Sequence, residues 1–131
     1  MIGTDTNVLL RLLVNDDPQQ NELARDHLEY VTASEEVYIP IIVVAEVCWV
    51  LSRTYRLGNA AILDALRALI ETENFVFQHV DVLVDLLQKD HVAGDISDNL
   101  ISLVAFEAGC RHTITFDRAA ARAVPGMELL S

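Results

Sequence analysis

Four acidic residues stand where carboxylates could hold a metal ion: Asp5, Glu46, Asp98 and Asp117. Asp5 and Asp117 each end a short apolar run with strand character, and Asp98 lies in the first turn of a predicted helix. Glu46 is the only charge in residues 41–51, and its neighbours at helical spacing are apolar. Burying an ionised carboxylate costs several kcal/mol unless it has a partner. We therefore expect Glu46 to be buried with a partner, which either comes from elsewhere in the fold or is not a protein group at all.

Each acid also has a purely structural interpretation. Asp5 and Asp117 could cap the helices that follow them, and Asp95 could cap the helix that contains Asp98. Asp98 itself could complement the positive end of that helix dipole. Glu46 lies too far inside its helix to be a cap, so its alternative is an edge position that reaches solvent.

The side chains available for a metal ion are mainly oxygen donors. Several carboxylates close together repel one another, and a hard cation such as Mg²⁺, which takes oxygen ligands, relieves that repulsion. The cysteine and histidine spacing of zinc sites is absent. The four histidines are scattered and are interpreted as surface or packing residues: His27, His79, His91 and His112.

The elements that must position these acids alternate between strand and helix. Apolar periodicity and turn residues predict strands at 1–5, 37–39, 75–77, 113–116 and 127–130. They predict helices at 7–14, 18–31, 40–57, 60–71, 82–89, 97–108 and 118–123. This alternation is typical of an α/β domain with a mostly parallel sheet between helices. Ligands bind such sheets beyond the carboxyl ends of the strands, where Asp5 and Asp117 are expected.

Composition limits the class of protein. A chain of 131 residues predicts one domain over 1–131. The net charge of −11 argues against direct phosphate binding unless divalent cations or a basic partner supply positive charge. The longest apolar region, 37–52, is shorter than the roughly 20 residues of a membrane helix. Cys48 and Cys110 are predicted to be reduced, buried thiols, as suits a cytoplasmic protein.

Taken together, the acidic motifs resemble the PIN-domain family and, within it, the VapC-type toxins of type II toxin–antitoxin systems. The resemblance covers essentially the whole chain, in the order and with the spacing of the family. Its four segments are IGTDTNVL (2–9), AEVCWVL (45–51), DISDNLI (95–101) and AGCRHTITFDR (108–118).

The resemblance implies a three-layer α/β/α PIN-like fold with a short, mostly parallel central sheet. It also implies an endoribonuclease that depends on Mg²⁺ or Mn²⁺. Asp5, Glu46, Asp98 and Asp117 match the catalytic metal ligands of the family, and Asp95 matches a secondary acid beside them.

Other positions of the family pattern are matched less completely. Asn7 and Thr115 match polar positions that line the pocket. Asn99 departs from the pattern, because relatives often carry alanine there, and it is expected to matter little. Three arginines are candidates for guiding the RNA backbone: Arg11, Arg118 and Arg122.

The implied reaction is hydrolysis of an RNA phosphodiester by metal-activated water, leaving 5′-phosphate and 3′-hydroxyl ends. The resemblance also implies a small antitoxin that blocks the site, and the charge of −11 suits a basic inhibitor. Apolar residues on the second to fourth helices could form its groove or belong to the core. A homodimer without membrane association is expected.

The sequence is also compatible with three other functions. A PIN-like nuclease could process DNA or RNA without an antitoxin. A phosphoaspartyl receiver would need a lysine after its last core strand, whereas Lys89 lies in a helical pattern, and a dehalogenase-like phosphatase would need aspartate where Asn7 stands. A metal- or protein-binding module without activity is the third. A neighbouring reading frame for a DNA-binding antitoxin would favour the toxin over a solitary nuclease.

Overall fold

All strand pairings in the protein are parallel, as the alternation of strands and helices predicts. The computed structural model describes residues 1–131, with five strands and seven helices. The chain divides into two compact units, an N-terminal unit, Met1–Gln78, and a C-terminal unit, His79–Ser131. The single domain over 1–131 stays a prediction.

The N-terminal unit is built around a three-stranded parallel sheet. Its order is β1-β2-β3, with Ile2 opposite Val37 and Val37 opposite Phe75. Its elements are β1 (Ile2–Gly3), α1 (Thr6–Leu13), α2 (Pro18–Thr32), β2 (Val37–Ile39), α3 (Ile41–Arg53), α4 (Asn59–Ile70) and β3 (Phe75–Phe77).

The core of the N-terminal unit follows from the position of β2. As the central strand, β2 buries Val37 and Ile39 completely, as expected for a strand paired on both edges. Leu28 and Val31 of α2 join Val37 in one hydrophobic cluster. The helices around the sheet therefore present apolar stripes to it at a spacing of three to four residues.

The C-terminal unit contains a second, two-stranded parallel sheet. Its strands pair with Thr113 opposite Met127 and Thr115 opposite Leu129. Its elements are α5 (Val80–Leu87), α6 (Ile96–Glu107), β4 (Thr113–Thr115), α7 (Arg118–Ala123) and β5 (Met127–Leu129). Because β4 and β5 are parallel, the chain must cross between them, and α7 makes that crossover.

Helix α6 is fixed to the segment after α7 by a buried hydroxyl. Ser102 is buried, and its Oγ donates a hydrogen bond to the carbonyl oxygen of Pro125 at 2.7 Å. Gly126 has a φ of +84°, and a Cβ there would lie 2.6 Å from Ser102 Oγ. Glycine is therefore required at this close approach.

Some predicted boundaries were wrong. Helix α5 begins at Val80 rather than 82, because His79 adopts a left-handed conformation (φ 55°) that the sequence does not signal. Strand β1 has two residues and is only partly buried. On α2 the buried residues are Leu28 and Val31, whereas Leu23 is 71% exposed.

The prediction that both cysteines are buried holds for only one of them. Cys48 is buried on α3, but Cys110 is exposed; both are free thiols. Cys110 follows Gly109, whose φ of +99° ends α6 in a surface turn. The apolar character of cysteine therefore did not decide its environment.

None of the seven helices combines the length and the apolar character needed to cross a membrane.

Candidate active site

Asp5 stands between β1 and α1 and caps the helix. Its backbone is extended (φ −101°, ψ 176°), and its Oδ1 accepts a hydrogen bond from the backbone N–H of Val8 at 3.2 Å. This is the capping role that the sequence offered as the structural interpretation. The side chain is exposed, and capping uses only one of its two oxygens. The cap therefore orients the carboxylate and leaves Oδ2 available to a ligand.

Glu46 is exposed on α3, so the prediction that it is buried was wrong. The buried stripe of α3 consists of Val44, Val47, Cys48 and Leu51, at the spacing of one helix face. Glu46 lies on a different face, beside Ile42, which is 73% exposed. The apolar neighbours of Glu46 at helical spacing therefore did not place its side chain in the core.

Thr6 was not among the predicted site residues, yet it contacts Glu46 directly. It is buried in the first turn of α1, and its hydroxyl donates a hydrogen bond to Glu46 Oε1. Since Thr6 directly follows Asp5 in the chain, it links the two acids of the N-terminal unit. The only sequence signal was a small hydroxyl residue between a cap and a polar Asn7.

Asp95 and Asp98 lie together at the start of α6. Asp95 is the N-cap, and its Oδ1 accepts a hydrogen bond from the backbone N–H of Asp98 at 3.0 Å. Both side chains are partly buried. The carboxylate of Asp98 lies in the first helical turn, where the helix dipole favours negative charge.

Asp117 caps α7, and Thr115 organises the turn that leads into it. The Oδ1 of Asp117 accepts a hydrogen bond from the N–H of Ala120 at 2.9 Å. The backbone N–H of Asp117 donates to Thr115 Oγ1 at 3.0 Å. The side chain of Thr115, predicted to line the pocket, thus holds the turn that presents an exposed carboxylate.

Asn7 is exposed on α1 and lines a surface depression together with Asp5. The depression lies between α1 and α2 and has a volume of about 540 Å³. Apolar side chains make up much of its wall, including Val8, Leu23 and Leu28. Asn7 and Asp5 therefore open onto a mainly apolar groove.

The three candidate arginines differ in their surroundings. Arg11 is 23% exposed, and its guanidinium donates to Asp16 Oδ1 at 2.5 Å. Arg118 and Arg122 are exposed on one face of α7, at a spacing of four residues, and form no ion pair. These two arginines, rather than Arg11, are available to a phosphate backbone.

The donor set suits a hard divalent cation. Asp5, Glu46, Asp95 and Asp117 form no ion pair with a basic side chain, so no protein cation neutralises them. Carboxylates are oxygen ligands of the kind that Mg²⁺ and Mn²⁺ prefer. No three His, Cys, Asp or Glu side chains are grouped so as to hold a metal ion in the structure as described.

Comparison with known proteins identifies the family. The PIN-domain family model matches residues 2–124, so the chain belongs to the PIN-domain family. Among solved structures, the chain is similar to VapC20 of Mycobacterium tuberculosis, described as a sarcin-ricin loop cleaving toxin. The TM-score is 0.46 and the identity 20%, over 94% of this chain and 95% of that one. No curated protein matches the sequence.

Family membership confirms the predicted fold class. The α/β class, the short parallel strands and the PIN-like three-layer α/β/α fold agree with the match over residues 2–124. That segment contains all four acids and Asp95.

Proposed function

We propose that this protein is a divalent-metal-dependent endoribonuclease and the toxin of a toxin–antitoxin pair. The observation that supports this most directly is the PIN-domain match, which covers residues 2–124 and with them the acidic motifs. In support, Asp5, Asp95 and Asp117 cap helices, Glu46 accepts a hydrogen bond from Thr6, and none of these four forms an ion pair with a basic side chain.

The proposed metal ligands are Asp5, Glu46, Asp98 and Asp117, with Asp95 in a secondary role. The helix caps use Oδ1 of Asp5, Asp95 and Asp117. A carboxylate fixed through one oxygen still has the other free to bind a ligand. Capping and metal binding are therefore compatible in the same residue.

A divalent ion held by such carboxylates would supply Lewis acidity and lower the pKa of a bound water. The chain's own part is to orient the carboxylates. Thr6 holds Glu46, and Thr115 holds the turn before Asp117. Because a locked side chain needs little reorganisation, such hydrogen bonds favour catalysis.

The RNA backbone is proposed to lie against α7. Arg118 and Arg122 line a shallow depression of about 370 Å³ on the C-terminal unit. Their guanidinium groups can bind phosphate oxygens in a bidentate manner. Since the 2′-hydroxyl has no role as a nucleophile in this proposal, cleavage should leave 5′-phosphate and 3′-hydroxyl ends.

The toxin role implies further partners. A basic antitoxin would be attracted by the net charge of −11. The groove between α1 and α2 is an accessible apolar surface for it. A homodimer and a cytoplasmic location complete the proposal.

The experiment that tests the function is cleavage of a panel of structured tRNA and rRNA fragments, with single- and double-stranded DNA beside them. Purified protein is assayed with Mg²⁺ or Mn²⁺, and with EDTA. Asp98→Asn and Glu46→Gln are compared with Asp85→Asn, which removes an exposed carboxylate of α5 outside the acidic motifs. Folding of each variant is checked by thermal unfolding.

We expect RNA cleavage that EDTA, Asp98→Asn and Glu46→Gln abolish, and that Asp85→Asn retains. Full activity in Glu46→Gln would remove Glu46 from the site. Cleavage that persists in Asp98→Asn would show a contaminating nuclease or a different site. Cleavage of DNA in place of RNA would favour a DNA-directed PIN-like nuclease.

A further inference from the structure

Asn99 has a buried side chain whose amide group donates two hydrogen bonds. It is 2% exposed on α6. Its Nδ2 donates hydrogen bonds to the carbonyl oxygens of Ala93 and Asp95, both at 2.9 Å. A buried amide is stable only when it is hydrogen-bonded in this way. The side chain of Asn99 therefore has a specific structural role in this chain.

These two bonds fix the loop that carries the acids of α6. The carbonyl oxygen of Asp95 accepts from both the backbone N–H and the side chain of Asn99, at 3.0 and 2.9 Å. The side chain of Asp95 accepts from the N–H of Asp98. The backbone and the carboxylate of Asp95 are thus both tied to the first turn of α6.

The same loop is held from its other side by α7. Gly94 has a φ of +80°, and a Cβ there would lie 2.8 Å from Val124 Cγ2 and 3.2 Å from Ala123 Cβ. The loop backbone therefore packs directly against the end of α7. Asp117 caps the other end of that helix. A shift of the loop would disturb Asp95 and Asp98 and would press on α7, the helix that Asp117 caps.

We infer that Asn99 is a positioning residue for the acidic site, acting through the carbonyl oxygens of Ala93 and Asp95. The inference rests on the proposed function, because it assigns Asn99 to the placing of Asp95 and Asp98 for a divalent cation. Asn99 itself has no contact with the cation in this inference. Replacing it with alanine leaves the Ala93 carbonyl without its partner and loosens the loop.

The test measures Mn²⁺ binding to the RNA-free protein by electron paramagnetic resonance, together with amide exchange of residues 93–98. Asn99→Ala is compared with wild type and with Ser102→Ala. Ser102 is also buried on α6 and also donates to a backbone carbonyl, but that carbonyl belongs to Pro125. Asn99→Ser serves as a rescue variant, since a serine hydroxyl can still bond the carbonyl four residues earlier.

We expect Asn99→Ala to weaken Mn²⁺ binding about tenfold, equivalent to about 1.4 kcal/mol, and to speed exchange of the Asp98 amide. Ser102→Ala should change neither the Mn²⁺ affinity nor the exchange rate of the Asp98 amide. For both quantities, Asn99→Ser should give values between those of Asn99→Ala and wild type. If Asn99→Ala does not fold, Asn99→Ser replaces it with the same expected direction.

These measurements distinguish a failure of the inference about Asn99 from a failure of the proposed function. If wild type binds Mn²⁺, Asp98→Asn loses it and Asn99→Ala keeps wild-type affinity, the inference is overturned and the proposed function stands. If wild-type protein binds no Mn²⁺ and cleaves no RNA, the proposed function is overturned and the inference with it.

Discussion

The hydroxyl of Thr6 is the group that holds Glu46 within the N-terminal unit. Glu46 is exposed, so a low-dielectric environment does not fix its carboxylate. The hydrogen bond from Thr6 fixes the carboxylate of Glu46 instead, and Thr6 itself is only 8% exposed. A buried donor restricts the rotamers of an exposed acceptor, because its own position is set by packing. Thr6 therefore supports the proposed site without binding the metal.

Thr6→Val should lower RNA cleavage about tenfold while reducing the free energy of unfolding by no more than about 1 kcal/mol. Valine keeps the shape of threonine and removes only the donor, and a hydrogen bond to an exposed carboxylate adds little stability. Cleavage rates and urea unfolding of the two proteins measure the two effects.

Thr32→Val is the matched control, since the Thr32 hydroxyl bonds a carbonyl of its own helix, that of Leu28, at 2.7 Å. It should leave cleavage unchanged. If Thr6→Val and Thr32→Val gave equal rates, the hydrogen bond to Glu46 would have no role in positioning.

At the scale of elements, Gly94 sets how closely the loop before α6 packs against α7. Two requirements meet there: a left-handed backbone and the absence of a Cβ. Gly94→Ala should lower the free energy of unfolding by about 2–4 kcal/mol, because strain at positive φ and overpacking both contribute. Thermal or urea unfolding measures the loss.

Gly109→Ala separates the two causes. Gly109 has a φ of +99°, but a Cβ there would meet nothing within 4 Å. This variant should lose only about 1–2 kcal/mol, the cost of the backbone conformation. Equal losses in both variants would show that the contact with Val124 has no energetic weight.

A second link between elements joins α1, the turn before α2 and the end of α3. Tyr55, just after α3, donates its phenol hydrogen to Asp16 Oδ2 at 2.6 Å, and Arg11 of α1 donates to Asp16 Oδ1. The bond from Tyr55 is the main cause that lowers the pKa of Asp16, with Arg11 also contributing. The same bond raises the pKa of Tyr55.

These shifts predict a stability difference with a defined pH window. The lowered pKa of Asp16 stabilises the fold above its usual value of 3.8, and this is lost as pH falls through the folded value. The raised pKa of Tyr55 stabilises the fold below 10.0, and this is lost as pH rises through the folded value. Tyr55→Phe should therefore be less stable than wild type at neutral pH. The difference in the free energy of unfolding between the two proteins should become smaller toward acidic and toward alkaline pH.

Urea unfolding of Tyr55→Phe and wild type across this pH range measures the gap. Tyr30→Phe is the control, because Tyr30 is 79% exposed and lies on α2, away from Asp16 in the chain. A gap that stayed constant from acid to alkaline pH would mean that the Asp16–Tyr55 bond does not form in solution.

At the scale of the whole molecule, the charge of −11 opposes RNA, because the chain has 9 Lys and Arg residues against 20 Asp and Glu residues. Each phosphate contact contributes about −0.7 to the slope of log affinity against log salt for a single strand. Even with all three candidate arginines the slope should be no steeper than about −2. Binding of an RNA analogue that resists hydrolysis, titrated with KCl at fixed Mg²⁺, measures it.

Replacing Arg118 and Arg122 together with glutamine should flatten this slope by about 1.4, the share of two phosphate contacts. Arg53→Gln and Arg56→Gln, which change the charge of the N-terminal unit by the same amount, form the control. A wild-type slope much steeper than about −2 would reveal phosphate contacts beyond these arginines.

Local signals in the sequence were sufficient to predict the order of the strands and helices and the residues that cap three of the helices. Asp5, Asp95 and Asp117 cap helices where the sequence offered caps, since a cap depends on a few neighbouring residues. Helix α7 begins and ends where it was predicted, at 118 and 123. The order and spacing of the acidic motifs were also enough to indicate the PIN-domain family, which the match over 2–124 confirms.

Only the tertiary structure decided which side chains are buried and which contacts they make. The exposure of Glu46 depends on which face of α3 packs on the core. Because α3 is apolar on most sides, its sequence pattern does not identify the buried face. The bond from Thr6 to Glu46 joins residues 40 positions apart. The bonds of Asn99 depend on the path of a loop with a left-handed glycine. Periodicity reports neighbours along the chain, whereas these contacts arise from how separate segments pack.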